Sequence, residues 1–320
     1  MNNLNKEELK AKKKVYKKAK KKAVRPWSIL TGISAPLMAI FIIASIVVGL
    51  FDNTIVAMMG GSFWELVGRD ENAMYYKMDF KTPQAMYEAG DKLCYQVEAE
   101  GATLLMNNGA LPLKKGAKVS TLSSSSVNLV YGGTGSGNVD ASKSDDLKTA
   151  LEKSSLKVNP TLWDFYKTGA GSKYNRNASA GASAVLAGQS DIPEVPVDVY
   201  TQDVKDSFAS YGDAVIITLS RIGGEGYDLE HTAFNYLALS QEEKDMFAWA
   251  SEMKAAGSSK SIIVLINTSN ALQVDFLKGN PYSVDAVLWI GGVGATGTNA
   301  VADILVGNVN PSGSLVDTYS

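Results

Sequence analysis

The 320-residue chain has one cysteine and one histidine, and this scarcity excludes several kinds of site. A single thiol, Cys94, excludes an internal disulfide, and it has no neighbouring metal-ligand residues that would argue for a metal centre. His231 stands alone and no G-x-S-x-G sequence occurs, so the residues give no case for a Ser-His-Asp nucleophile. The glycine loop "YGGTGSGN" over 131–138 lacks the G-K-[ST] of a phosphate loop, which argues against nucleoside triphosphate binding.

Charge is missing from residues 27–51, which follow eleven basic and two acidic residues within 1–26. An uncharged run of this length can span a bilayer, and basic residues on one flank keep that flank in the cytoplasm. We therefore predict a cytoplasmic arm, an uncleaved anchor over 27–51 in the cell membrane, and an extracellular body. A cleaved signal peptide is the alternative. Because the basic arm runs directly into this apolar segment, we expect it to lie at a lipid bilayer and not on a nucleic acid.

After a connector over 52–83, apolar strands alternate with amphipathic helices. Such alternation is typical of βαβ units, so we predict a mostly parallel sheet with helices on both faces, an α/β fold. The first helix should place Met86, Leu93 and Val97 toward one side, and Cys94 should be a small buried residue. Strands are predicted at 213–220, 261–268 and 284–292, and residues 119–126 are predicted to be a strand that runs into a serine-rich turn. The predicted helices are 85–102, 144–155, 240–257, 270–279 and 298–307.

The segment "GGVGATG" over 291–297 allows two interpretations. Gly292, Gly294 and Gly297 fit G-x-G-x-x-G between a strand and a helix, and Asp317 follows twenty residues later, as in a dinucleotide site. Against this, the helix is short, "NVNPSG" (308–313) interrupts the return to another strand, and nicotinamide cofactors are scarce outside a cell. The alternative is that the glycines permit close packing between the strand and the next helix.

Two loops at strand ends are candidates for ligand binding, because parallel strands place functional loops at their carboxyl ends. Glu225 lies between glycines directly after the strand at 213–220. A carboxyl group in a partly dry pocket has a raised pKa and can deliver a proton at neutral pH; the alternative is an ordinary acidic loop residue. In the glycine loop, Ser136 and Asn138 could hydrogen-bond a polar ligand, or the loop is a flexible hairpin tip.

Four segments, in this order, resemble glycoside hydrolase family 3, the β-glucosidases and related exo-glycosidases. The segment "AEGATLLMNNGALPLKKGAKVSTLS" is similar to the family's E-G-x-x-L-L-K-N-x-x-x-L-P-L stretch, and "YGGTGSGNV" to its glycine loop. "LSRIGGEGYDLE" resembles the family's R-x-x-G-E-G-x-D-R loop, and 284–315 resembles its G-x-x-x-A-D-x-L-x-G-x-x-N-P-S-G-R-L end. Leu229 and Ser314 stand where the family usually has Arg, and the first departure affects how the loop is braced.

The resemblance implies that residues 84–320 form a six-stranded α/β sandwich that packs against a TIM barrel. The barrel supplies an aspartate nucleophile, and the sandwich supplies an acid/base glutamate, which maps to Glu225. Asp228 matches an aspartate that braces the loop. The reaction is retaining hydrolysis of an oligosaccharide or aryl glycoside, without a metal or organic cofactor. The residues assigned to the sugar site are Gly133, Gly135, Ser136, Asn138, Arg221 and Asp228.

The residues before 84 leave no room for an eight-stranded barrel, which precedes the sandwich domain in most members of the family. Some members have the swapped order, with the sandwich domain leading. We therefore expect this chain to provide Glu225 to a barrel that it does not itself contain, and to be inactive alone. The alternative is a membrane-tethered carbohydrate-binding or scaffold module without catalysis.

Overall fold

The structure, a computed structural model, describes residues 6–59, 68, 70, 72, 79–133, 135–176, 194–223 and 237–319. The chain divides into two compact units, Met1–Met78 and Asp79–Ser320. The finer bounds expected at residues 26, 51 and 83 stay predictions.

The first unit is built from two helices, α1 (Lys6–Leu50) and α2 (Asp52–Met58). Helix α1 continues through Pro26 and Pro36, and all its described side chains are exposed. It is long and apolar enough to cross a membrane, although a signal sequence would satisfy the same criteria of length and composition. Exposure along the whole helix distinguishes it from the core helix of a soluble domain.

The second unit contains a six-stranded sheet with the strand order β1-β6-β5-β4-β2-β3. Strand β1 pairs antiparallel with β6, and all other neighbours are parallel. The expected six-stranded, mostly parallel sheet is therefore confirmed. The strands are β1 (Thr103–Asn107), β2 (Lys118–Leu122), β3 (Lys157–Val158), β4 (Ala214–Arg221), β5 (Ile262–Thr268) and β6 (Ala286–Trp289).

Helices cover both faces of this sheet, because alternate residues of its strands point in opposite directions. In β4, Ile216 joins a core with helices α4 and α8, whereas Ile217 joins a core with helices α5, α6 and α7. All residues of β4 and β5 are buried, which explains their unbroken apolar runs. The helices are α3 (Pro83–Gly101), α4 (Leu147–Lys153), α5 (Pro160–Lys167), α6 (Gln202–Ser207), α7 (Gln241–Ala255) and α8 (Gly297–Leu305).

One predicted helix is wrong. Residues 270–279 contain only a single 3₁₀ turn, Asp275–Leu277, preceded by irregular backbone. The reason is a long-range bond, since the backbone N–H of Gln273 donates to the carbonyl of Leu237 (2.8 Å) and not to a carbonyl one turn earlier. Tertiary pairing therefore overrides the local helical pattern in this segment.

Helix α3 packs against the rest of the unit through a different side from the one that its apolar residues predicted. Its residues Met86, Leu93 and Val97 are 46%, 60% and 63% exposed. Cys94, which is half-buried, lies on the packed side, where its Sγ accepts a hydrogen bond from Thr296 N (3.4 Å). A β-carbon at Gly294, which has φ of +64°, would lie 2.6 Å from this Sγ. The glycines of 291–297 therefore permit close packing, as the second interpretation held, but against α3.

The carboxyl edge of the sheet is held together by one buried amide, that of Asn267 at the end of β5. Its Oδ1 accepts hydrogen bonds from Val130 N (2.6 Å) and Ser220 Oγ (2.8 Å). Its Nδ2 donates to the carbonyls of Val130 (2.9 Å) and Gly291 (2.6 Å). These partners lie after β2, near the end of β4 and after β6, so a single side chain joins three strand ends.

We predict that Asn267→Ala lowers the free energy of unfolding by about 2–5 kcal/mol, since it leaves several buried polar groups unpaired. Denaturant unfolding of the chain, followed by tryptophan fluorescence, measures this loss. Asn308→Ala is the matched control, because exposed Asn308 donates one bond to Asp303 Oδ1 (2.8 Å), and it should cost within about 0.5 kcal/mol. Equal losses in both variants would contradict the role of Asn267.

Candidate functional site

The candidate site lies at the carboxyl edge of the sheet, where loops from three parallel strands meet. The glycine loop after β2 contacts the loop after β6, because Gly294 N donates to the carbonyl of Tyr131 (2.7 Å). It also approaches the loop after β4, since a β-carbon at Gly133 would lie 3.4 Å from the carbonyl oxygen of Gly223. The two loops are therefore in van der Waals reach of one another at this edge.

The predicted ligand-binding residues of the glycine loop lie at the surface of this edge. Gly133 is half-buried, and Gly135–Gly137 forms a single 3₁₀ turn. Ser136 and Asn138 are exposed. The first residue of the loop is held in place, because the hydroxyl of Tyr131 donates to the carbonyl of Asp145 (3.1 Å). These positions are accessible to a polar ligand, and their contact with a sugar stays a prediction.

Glu225, Asp228 and His231 belong to residues 224–236 and lie outside the described residues. The described chain reaches Gly223 on one side of this segment and resumes at Leu237 on the other. The catalytic assignment of Glu225 and the bracing assignment of Asp228 therefore stay predictions.

Arg221, which the resemblance assigns to the sugar site, is 1% exposed at the end of β4. Its guanidinium forms a two-pronged ion pair with Glu243, with distances of 2.9 Å from Nη1 to Oε1 and 2.7 Å from Nη2 to Oε2. Nη2 also donates to the carbonyl of Ala238 (2.9 Å). These bonds lie in the buried interior, and contact of Arg221 with a sugar stays a prediction.

Sequence reasoning did not identify Glu194, a second buried acid at the same edge. Its carboxylate accepts bonds from Ser124 N (3.0 and 3.1 Å) and Val195 N (2.8 Å). Burial raises the pKa of Glu194 to about 8, and the charge of Glu243 adds to this, whereas the backbone N–H groups oppose it. The run of serines at 123–126 was the available signal. Ser123, Ser124 and Ser126 are buried. Ser123 Oγ donates to the carbonyl of Thr218 (2.8 Å) and lies 3.2 Å from Ser126 Oγ.

Within the described parts of the chain, no group of three or more His, Cys, Asp or Glu side chains is placed to hold a metal ion.

Comparisons with known proteins point to one family. The chain is 30% identical over 227 residues to a beta-glucosidase of Ruminococcus albus, which covers 70% of this chain and 22% of that protein. It is 27% identical over 250 residues to beta-glucosidase A of Butyrivibrio fibrisolvens, covering 72% of this chain and 28% of the relative. The chain thus spans about a quarter of the length of these relatives.

Solved structures agree in fold. Beta-glucosidase 3B of Thermotoga neapolitana, in complex with glucose, superposes with a TM-score of 0.61 at 26% identity, covering 74% of this chain and 32% of that one. A beta-glucosidase of Paenibacillus barengoltzii gives a TM-score of 0.61 at 25% identity, covering 72% of this chain and 24% of the other. Residues 102–320 match the family model of the glycosyl hydrolase family 3 C-terminal domain. The chain therefore belongs to glycosyl hydrolase family 3, and its second unit contains the family's C-terminal domain.

Proposed function

We propose that this chain is the sandwich part of a membrane-anchored, β-glucosidase-like retaining exo-glycosidase, and that it supplies Glu225 as acid/base to a TIM barrel. The described residues form one six-stranded sheet and no eight-stranded barrel. The observation that carries the proposal is the approach of Gly133 to Gly223, which brings the start of the Glu225 loop beside the glycine loop. The names of the relatives, all beta-glucosidases among those compared above, support the reaction class.

In the proposed reaction Glu225 protonates the departing glycosidic oxygen while a barrel aspartate attacks the anomeric carbon. Glu225 then deprotonates the water that releases the sugar from the aspartate. This double displacement requires the two carboxyl groups to lie about 5–5.5 Å apart. In this proposal the sandwich supplies one of the two carboxyl groups and the barrel supplies the other.

In an assembly of this chain with its barrel, Glu225→Gln should lower kcat/KM for unactivated aryl β-glucosides by about 10²–10⁴-fold, because leaving-group protonation is lost. Azide should restore turnover of activated substrates, since this anion attacks the glycosyl-enzyme without a general base. Steady-state kinetics with and without azide measure both effects.

Glu230→Gln is the matched control, as it removes the same charge from the same loop and should retain activity. Unchanged turnover in Glu225→Gln would contradict the assignment and favour a carbohydrate-binding module without catalysis.

We further propose that α1 anchors the protein in the cell membrane with its amino terminus in the cytoplasm. Two features support this: the helix is apolar and exposed along its length, and the basic residues lie on its amino-terminal side. Each Lys or Arg close to an anionic leaflet adds about 1 kcal/mol of attraction. The second unit would then be outside, where oligosaccharides are available.

Protease added to intact cells or protoplasts should therefore remove the unit Asp79–Ser320 and leave the arm before Trp27 intact. Immunoblots with antibodies against each part measure the two fragments, and detergent-permeabilised cells, which should lose both, are the control. Protection of the whole second unit in intact cells would overturn the orientation.

A further inference from the structure

We propose that the buried pair of Arg221 and Glu243 positions the loop that carries Glu225. We call this pair, together with its bond to the carbonyl of Ala238, the Arg221–Glu243 clasp. The inference rests on the proposed acid/base role of Glu225, and it makes Arg221 and Glu243 positioning residues that touch no reacting atom.

The clasp joins the two ends of one loop. Arg221 is the last residue of β4, four residues before Glu225. The same guanidinium that bonds Glu243 donates from Nη2 to the carbonyl of Ala238 (2.9 Å), which follows the loop. It also donates from Nη1 to the carbonyl of Ser220 (2.9 Å), next to it in β4. One planar group therefore sets the separation and direction of the two chain ends from which residues 222–237 extend.

The acid of the clasp is itself held in place. Glu243 lies in the first turn of α7, where its Oε2 accepts from Ser240 N (2.9 Å) and its own N donates to Ser240 Oγ (3.1 Å). This capping box fixes the side chain relative to the helix start. Met246 and Phe247 on the next turn are fully buried in the core against the sheet. The clasp thus connects the loop to a rigid helix and a central strand.

Because both side chains are buried, we infer that the clasp serves to hold the chain in position more than to raise the free energy of unfolding. The side chains of Arg221 and Glu243 are 0% and 3% exposed. Removing two charges from water is costly, and apolar residues of similar volume often stabilise a core as well or better. An apolar pair, however, cannot hold the Ala238 carbonyl at a fixed distance and direction. A guanidinium can, because its donors form a rigid planar fork.

The functional consequence concerns leaving groups. General acid catalysis requires Glu225 to be within hydrogen-bond reach of the glycosidic oxygen, and misplacement by about 1 Å can cost about 100-fold in rate. A loosened clasp should therefore slow substrates whose leaving group needs a proton. Substrates with a highly activated leaving group depart without that proton and should be spared.

The test uses Arg221→Lys and Glu243→Gln in the assembly of this chain with its barrel, with phenyl and dinitrophenyl β-glucosides as substrates. Arg221→Lys keeps the positive charge and loses the fork, whereas Glu243→Gln keeps the shape and a capping oxygen. For each variant kcat/KM for the phenyl glucoside should fall about 10- to 100-fold, and for the dinitrophenyl glucoside by less than about threefold. The ratio of the two values is independent of the folded fraction, because both come from one preparation.

Asp285→Asn is the matched control. Asp285 pairs with Lys254 (2.6 Å), which lies in the last turn of α7, at the end of that helix remote from the clasp. The Asp285→Asn variant should lower kcat/KM for the phenyl and the dinitrophenyl glucoside equally, or not at all. Equal losses on the two substrates in the clasp variants would overturn the proposal. If Arg221→Lys does not fold, the result for Glu243→Gln alone tests the proposal.

Glu225→Gln is the reference variant. If it lowers kcat/KM for the two substrates equally, the proposed acid/base function of Glu225 has failed, whatever the clasp variants show.

Discussion

The arrangement of the candidate site depends on the buried amide of Asn267. Parallel strands end at a common edge, where their last backbone groups have no further strand residue to pair with. An amide side chain has two donors and an acceptor oxygen with two lone pairs, and in Asn267 all four capacities are used on three strand ends. The glycine loop and the start of the Glu225 loop are fixed in relation to one another through this residue.

The segments that resemble the family divide into two kinds when their contacts are considered. The segment at 99–123 and the segment at 284–315 pack on each other: Leu113 N donates to the carbonyl of Leu305 (2.8 Å). Asp303 anchors this region, accepting from Tyr95 Oη (2.8 Å) and Ser154 Oγ (2.9 Å). The other two segments, the glycine loop and the loop after β4, meet part of the 284–315 segment, the loop after β6, at the candidate site. Half of the resemblance therefore reflects the fold, and half reflects the proposed chemistry.

Local patterns predicted the central strands and the long helices, because buried β4 and β5 have unbroken apolar runs and α7 has its Ser240–Glu243 capping box. They missed the edge strands β1 and β3: β1 is mostly only partly buried or exposed, and β3 has two residues. They gave no sign of the pair between Arg221 and Glu243, since these residues are 22 positions apart on different elements. Pairings of this kind follow from the tertiary fold and leave no periodic trace in the sequence.

The most direct test of the account is to find which residue forms the covalent glycosyl-enzyme. The assembly of this chain with its barrel would be incubated with a fluorinated glucoside that reacts quickly and hydrolyses slowly, then digested and mapped by mass spectrometry. The account predicts a label on an aspartate outside residues 79–320, because a retaining mechanism needs a nucleophile separate from Glu225. A label on any acid within residues 79–320 would contradict the division of labour between the sandwich and a barrel.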